Sequence, residues 1–253
     1  MNRTVLITGA SSGIGKACAL LLAQEGYRLV LCARRAERLE DLKKAIQQEH
    51  PGTDIFTFTL DVRDAAAVQQ AVTTLPAEWQ QIDVLINNAG LSQGLDPIQS
   101  GQLSDWDTMI DTNVKGLLYV SRAVIPLMEN SKNAHIINIG SIAGKEVYPN
   151  GNVYCATKHA VDALNKAMRI DLLEKGIRVS AINPGMVETE FSEVRFHGDT
   201  ERAKAVYNGV TALTGQDIAE VIAFVLSRRA HININDLLIM PTAQATGTIV
   251  NRK

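Results

Sequence analysis

Tyr154 and Lys158 stand four residues apart, the spacing that places two side chains on one helix face, one turn apart. A free phenol has a pKa of about 10 and is a poor base at neutral pH. A neighbouring ammonium favours the phenolate, so Lys158 could bring Tyr154 into range as a general acid/base. Taken alone, the pair could equally be a surface contact. Ser141 follows the apolar run His135–Ile139, thirteen residues before Tyr154. A hydroxyl there can hold a substrate oxygen beside the phenol. Asn113 lies within Thr112-Asn113-Val114-Lys115-Gly116, in the middle of a helical stretch. A polar Asn at such a point can disturb the backbone ladder and bind water, or simply face solvent.

A second group of residues suits a phosphorylated ligand. Thr8-Gly9-Ala10-Ser11-Ser12-Gly13-Ile14-Gly15 follows the first strand-like run directly and opens a helix. Glycines permit a tight turn and close backbone approach, and the exposed N–H groups of a helix start attract phosphate. The spacing is G-x-x-x-G-x-G, which differs from the G-x-G-x-x-G of the general dinucleotide fingerprint. The second strand ends in Cys32-Ala33-Arg34-Arg35. An NAD-selective fold carries an acidic residue near this point, to hold the ribose 2′-hydroxyl. Two guanidiniums there suit a 2′-phosphate instead, which points to NADP. The other reading is that both arginines begin a solvated helix. Asp61-Val62 closes the third strand and could hold an adenine edge through a carboxylate and a backbone N–H, although an Asp at a strand end is often only a helix cap. Asn87-Asn88-Ala89-Gly90 closes the fourth, where small residues admit a flat ligand and Asn can tie neighbouring loops.

The elements that must position these residues alternate. Strands are expected at Thr4–Ile7, Arg28–Leu31, Asp54–Leu60, Val84–Asn87, His135–Ile139, Arg178–Asn183 and Asp236–Ile239. Several are apolar without alternation, as in a parallel sheet covered on both faces. Helices are expected at Ile14–Glu25, Ala36–Gln48, Ala65–Thr73, Trp106–Met128, Asn152–Glu174 and Gln216–Ser227. Alternating strands and helices with right-handed crossovers give an α/β fold, a Rossmann-type doubly wound parallel sheet of about seven strands. No linker or repeat divides it, so residues 1–253 are expected to form a single dinucleotide-binding and catalytic domain. Two stretches break the alternation: Gly144–Gly151, and a long loop from Pro184 to about Thr200. Both begin at C-terminal strand ends, where open parallel sheets bind ligands.

Composition excludes several classes. The chain has 253 residues, a net charge of −2, 46% hydrophobic and 21% charged residues. Arg34-Arg35 and Arg228-Arg229 are isolated basic pairs rather than a patch, so neither a nucleic-acid nor a membrane partner is expected. Cys18, Cys32 and Cys155 are widely spaced and the five histidines show no ligand spacing, so neither disulfides nor a metal site are expected. No apolar run approaches a membrane span, and the strand-like Val5-Leu6-Ile7 leaves no room for a signal peptide. A cytoplasmic location follows as an expectation. Asn2-Arg3-Thr4 is a glycosylation sequon that would then be a chance match.

Together and in this order, the glycine loop at 8–15, Asn87-Asn88-Ala89-Gly90, Asn113, Ser141, Tyr154, Lys158 and Pro184-Gly185 resemble the short-chain dehydrogenase/reductase family, over essentially the whole chain. The resemblance implies that Tyr154 is the acid/base, that Ser141 orients the carbonyl or hydroxyl, and that Lys158 binds the nicotinamide ribose while lowering the Tyr154 pKa. It implies that Asn113 holds a relay water. Residues 184–189, with Pro184, Gly185, Val187 and Thr189, would cover the nicotinamide carboxamide.

Three further stretches, Gly151–Tyr154, Glu190–Asp199 and His231–Asn235, are similar to the NADP-dependent 3-hydroxy acid dehydrogenases, which act on serine, L-allo-threonine and related acids. That subgroup implies a homotetramer. A carboxylate substrate entering a partly desolvated pocket needs a cationic partner. Arg195, in the loop expected to close over the site, is the candidate, with a supporting salt bridge as its other role. The alternatives are a broad carbonyl reductase lacking the carboxylate anchor and a non-catalytic NADPH-binding protein. Epimerases and dehydratases sharing Y-x-x-x-K usually carry a longer substrate domain.

Overall fold

The computed structural model describes residues 3–253, so the asparagine of the sequon lies outside the described residues. Seven strands, β1 (Thr4–Thr8), β2 (Arg28–Ala33), β3 (Ile55–Thr59), β4 (Val84–Asn87), β5 (His135–Ile139), β6 (Arg178–Pro184) and β7 (Asp236–Ile239), form one sheet. Its order is β3-β2-β1-β4-β5-β6-β7 and every pairing is parallel. The chain runs outward from β1 through β2 to β3, then returns to place β4 on the other side of β1. That reversal opens a crevice above the carboxyl ends of β1 and β4.

Both faces of the sheet are covered. Helices α1 (Gly13–Gln24), α2 (Ala36–Glu49) and, late in the chain, Gly215–Leu226 lie on one face. On the other lie α3 (Ala65–Thr73), the helical rod 103–128 and the long helix Asn152–Asp171. The pleat explains the unbroken apolar strands. Val5 and Ile7 pack with Cys18 and Ile218 on the first face, while Leu6 packs with Val120 and Val161 on the second. Cys18, Cys32 and Cys155 are free and buried. Burial pushes the Cys18 and Cys32 thiols up to about 12, as expected of small hydrophobes rather than reactive groups.

Three expected elements differ. The helix expected over Trp106–Met128 begins earlier, as α4 (Leu103–Ile110), passes through a π-turn at Asp111–Gly116, and continues as α5 (Leu117–Met128). The helix expected to reach Glu174 ends sooner, as α6 (Asn152–Asp171). The long loop after β6 contains two short helices, α7 (Phe191–Arg195) and α8 (Thr200–Ala205), before α9 (Gly215–Leu226). Five- and six-residue helices are too short to show hydrophobic periodicity, and tertiary contacts stabilise them more than propensity does. Among the described residues, no helix is long and apolar enough to cross a membrane.

Candidate active site

One cleft runs along the carboxyl ends of the strands, lined from Gly9 after β1 to Pro184 at the end of β6. Its floor at one end is the turn between β1 and α1. Gly9 adopts φ +65°, a left-handed conformation suited to glycine. A Cβ on Gly15 would lie 2.5 Å from both the Gly9 carbonyl oxygen and the Asn88 side-chain nitrogen. Asn88 staples this turn, its Nδ2 donating to the carbonyls of Thr8 at 2.9 Å and Gly9 at 3.1 Å. Thr8 Oγ1 in turn accepts from the N–H groups of Asn88 and Ala89. No side chain caps the start of α1 and no acidic residue occupies its first turn, so its N–H groups are left to an anion.

Ser11, Ser12, Gly13, Ile14, Arg34, Arg35, Asp61, Val62, Ala89 and Gly90 line this end of the cleft, with Val187 and Thr189 opposite. Gly15 lies beneath the turn. This cradle and its cationic rim fit a phosphorylated dinucleotide. Arg35 reaches Ser11 Oγ at 3.4 Å and Glu190 at 3.1 Å. Asp61 departs from a free adenine-binding carboxylate, because Arg63 grips it at 2.6–3.0 Å. Those hydrogen bonds hold its carboxyl below the ordinary carboxylate range.

At the other end, α6 brings Tyr154 and Lys158 into the cleft together with Ser141. Only 8% of Tyr154 and 7% of Lys158 is exposed, which rules out a surface pair. Lys158 Nζ donates to the Ile139 carbonyl at 2.9 Å and stands 6.0 Å from the Tyr154 ring centre. Burial pushes its ammonium down to about 8. Burial also raises the Tyr154 phenol above its ordinary value, while the Arg195 charge and a Ser141 hydrogen bond pull it partly back. Arg195 stands somewhat nearer the Tyr154 ring than Lys158 does, at 5.2 against 6.0 Å from its centre. Ser141 caps a short 3-10 turn, Ile142–Gly144, and its N–H donates to Asn183 Oδ1 at 3.3 Å.

Asn113 faces inward, with 2% exposure, and does not line the cleft. Its Oδ1 accepts from the Leu91 N–H at 2.9 Å, while Nδ2 donates to the Leu91 carbonyl at 2.8 Å and to Thr157 Oγ1 at 3.1 Å. The side chain therefore clamps the loop after β4 and ties it to α6. The disturbance of the ladder is real, but it takes the form of the π-turn around Asn113.

Arg195 does not line the cleft itself but lies next to two residues that do, Tyr154 and Phe191. Its guanidinium carbon is 5.2 Å from the Tyr154 ring centre and 5.1 Å from that of Phe191, and Nη2 donates to the Tyr148 hydroxyl at 3.0 Å. Its Nε is buried without a partner. No acidic side chain pairs with Arg195 among the described residues, which argues against the supporting salt bridge as its role. Tyr148, Phe191, Glu190 and Asn183 are site components that sequence reasoning did not single out. Tyr148, an aromatic residue in a Gly/Pro loop, offered the one usable signal.

A doubly wound parallel sheet with a glycine cradle at its switch point, and a buried Ser-Tyr-Lys group beside it, defines a dinucleotide-binding oxidoreductase site. The chain belongs to the short-chain dehydrogenase family, whose family model, described as short chain dehydrogenase, matches residues 3–199. It is 46% identical over 250 residues to NADP-dependent 3-hydroxy acid dehydrogenase YdfG of Salmonella typhi, covering 98% of this chain and 99% of that one. It is 44% identical over 246 residues to sulfoacetaldehyde reductase 2 of Chromohalobacter salexigens, covering 97% and 96%. Among solved structures, the closed form of a serine dehydrogenase complexed with NADP+ superposes with a TM-score of 0.92, at 44% identity, over 99% of this chain and 100% of that one.

Proposed function

We propose that this chain is an NADP-dependent dehydrogenase of small 3-hydroxy acids such as serine or L-allo-threonine, with Tyr154 as general acid/base. The observation that carries the reading is Arg195, a guanidinium with no carboxylate partner among the described residues, its carbon 5.2 Å from the Tyr154 ring centre. An anionic substrate group paired with it would set the adjoining hydroxyl near the phenol. The relatives named above as acting on 3-hydroxy acids, serine and sulfoacetaldehyde all handle small molecules of this polar kind, which supports the reading.

In the oxidative direction Tyr154 takes the hydroxyl proton, while Ser141 holds the same oxygen. NADP, when bound, supplies the acceptor for the hydride leaving the carbinol carbon. Lys158 would bind the nicotinamide ribose, and its ammonium on the same side of α6 favours the phenolate form of Tyr154 that takes the proton. Asn113 acts by fixing the loop and α6 relative to one another. Ser11, Ser12, Gly13 and Ile14 would hold the pyrophosphate, Arg34 and Arg35 the 2′-phosphate, and Val62 with Asp61 the adenine. Asn88, Ala89, Gly90, Pro184, Gly185, Val187 and Thr189 enclose the remainder. We read residues 1–253 as one catalytic domain, acting in the cytoplasm as a homotetramer. Three reduced, buried thiols suit that compartment, and exposed apolar side chains such as Leu103 and Ile170 suit association.

The test is a panel of 3-hydroxy acids, a hydroxy-sulfonate and simple alcohols, with NADP+ or NAD+, read by NAD(P)H absorbance. Tyr154→Phe should lower kcat by about 10²–10⁴-fold with cofactor binding retained. Full activity in that variant would overturn the mechanism. Arg195→Ala removes a charge-assisted contact of about 1.5–3 kcal/mol, so KM for hydroxy acids should rise roughly 10- to 100-fold. An equal rise for neutral alcohols would rule out anion anchoring and favour the broad carbonyl reductase.

A further inference from the structure

Glu190 immediately precedes α7, the single turn that ends at Arg195, and its carboxylate reaches across the mouth of the cleft to α2. Arg38 Nη1 donates to both of its oxygens, at 2.6 and 2.8 Å, and Arg35 Nη1 donates to Oε2 at 3.1 Å. At its far end the same segment is tied to the opposite wall. The Gly94 N–H donates to the Arg195 carbonyl at 3.0 Å, and His197 Nε2 lies 3.1 Å from Asp105 Oδ2. The residue that faces Tyr154 is therefore held on a strap fixed on both sides of the cleft. The two guanidiniums differ in what else they touch. Arg35 also reaches Ser11 Oγ in the phosphate loop at 3.4 Å, whereas Arg38 lies one turn further along α2 and spends both short contacts on Glu190.

We propose that Glu190 is a positioning residue that, by bridging Arg38 and Arg35, holds α7 in place and so sets Arg195 against Tyr154. The inference rests on the reading of Arg195 as the substrate's anion anchor and of Arg35 as a 2′-phosphate contact. It adds a consequence that neither role contains. A 2′-phosphate drawing on Arg35 leaves Arg38 as the main hold on the strap. Without the phosphate, Arg35 and Arg38 share that task. Arg38 thereby affects the hydroxy acid at a distance, and more strongly with NADP than with NAD.

Ion pairs this exposed are each worth up to about 1 kcal/mol, so effects of about three- to fivefold are expected. With NADP+, Glu190→Gln and Arg38→Gln should each raise KM for L-allo-threonine by about that factor and change it far less for a simple secondary alcohol. The double variant should be no worse than Glu190→Gln alone, because Glu190→Gln already breaks the pair that Arg38→Gln removes. With saturating NAD+, Arg38→Gln should have a smaller effect on KM than with NADP+. Multiplicative effects in the double variant, equal shifts for acid and alcohol, or an Arg38→Gln effect independent of the cofactor would each overturn the proposal. Arg195→Ala, measured alongside, separates the failures. If it shifts acid and alcohol alike, the anchor reading falls; if it is selective while Glu190→Gln is not, only the strap falls.

Discussion

On the phosphate-loop side of the cleft the contact surface is main chain, formed by the turn from Gly9 to Gly15, the N–H groups at the start of α1, and the Asn88 amide that pins them to β4. The opposite wall, from Glu190 to His197, is built from side chains: a guanidinium set beside the Tyr154 and Phe191 rings, a carboxylate shared by two arginines, and a half-exposed His197 on Asp105. The first surface is rooted in strands with apolar neighbours above and below, and moving it would break buried backbone contacts. The second hangs on polar contacts near water, each weak enough to open and re-form. A dinucleotide common to many reactions calls for the fixed surface, whereas a small substrate that must enter and leave calls for the adjustable one.

The largest effect that could break this contrast comes from the fixed side. Gly15→Ala puts a methyl group 2.5 Å from the Gly9 carbonyl oxygen, a backbone atom that cannot rotate away. Overpacking of this kind costs about 1–3 kcal/mol, and the turn must shift to absorb it. The dissociation constant for NADPH, followed by fluorescence titration, should rise by roughly 5- to 100-fold. An unchanged constant would mean that the turn is as yielding as the opposite wall.

The same division explains which parts were legible in the sequence. Gly9, Gly15 and Asn88 were readable because a backbone site leaves a local mark: small residues and an amide at fixed distances from strand ends. Tyr154 and Lys158 were readable because one helix supplies both. Asn113 was legible as a polar break within a helical stretch, but its neighbours were not, since Leu91 and Thr157 come from other elements and the π-turn has no composition of its own. Arg195 was singled out through the chemistry that a carboxylate would require, a role that its placement beside Tyr154 leaves to the proposed reading. Its aromatic setting was not, because Tyr148 is 47 residues away in the chain. Glu190 meets Arg35 and Arg38 across more than 150 residues, and nothing near Glu190 in the sequence announces the encounter.

A middle-sized effect concerns the sheet on which the fixed surface rests. His135, at the start of β5, is fully buried and meets Ser180 Oγ at 2.8 Å. Burial first, and then the charges of Arg178 and Arg3, push its pKa from 6.5 down to about 3. The folded state thus holds this imidazole neutral while the unfolded chain accepts a proton below pH 6.5. The stability it allows is fully present above about pH 6.5 and is lost progressively as pH falls toward 3. At pH 5 the loss should be about 2 kcal/mol. Urea unfolding at pH 7.5 and pH 5.0 should show a smaller acid-induced fall in His135→Leu than in the natural protein. Equal falls in the two proteins would show that the imidazole is already charged, or exposed, in the folded state.

The smallest effect belongs to the adjustable wall and tests how little any one of its contacts holds. The Asp105 side chain is only 9% exposed, but its partner His197 is 55% exposed, so the pair is screened by water on one side. His197 also sits at φ +53°, a backbone setting uncommon outside glycine, which the contact helps to maintain. Asp105→Asn keeps the shape and can still accept a hydrogen bond while removing the charge, and a half-exposed pair is worth under about 1 kcal/mol. KM for a hydroxy acid should therefore rise by no more than about fivefold, with NADPH affinity unchanged and the urea midpoint hardly moved. A loss as large as that expected for Gly15→Ala, or a parallel loss of NADPH affinity, would show that the two walls move as one body.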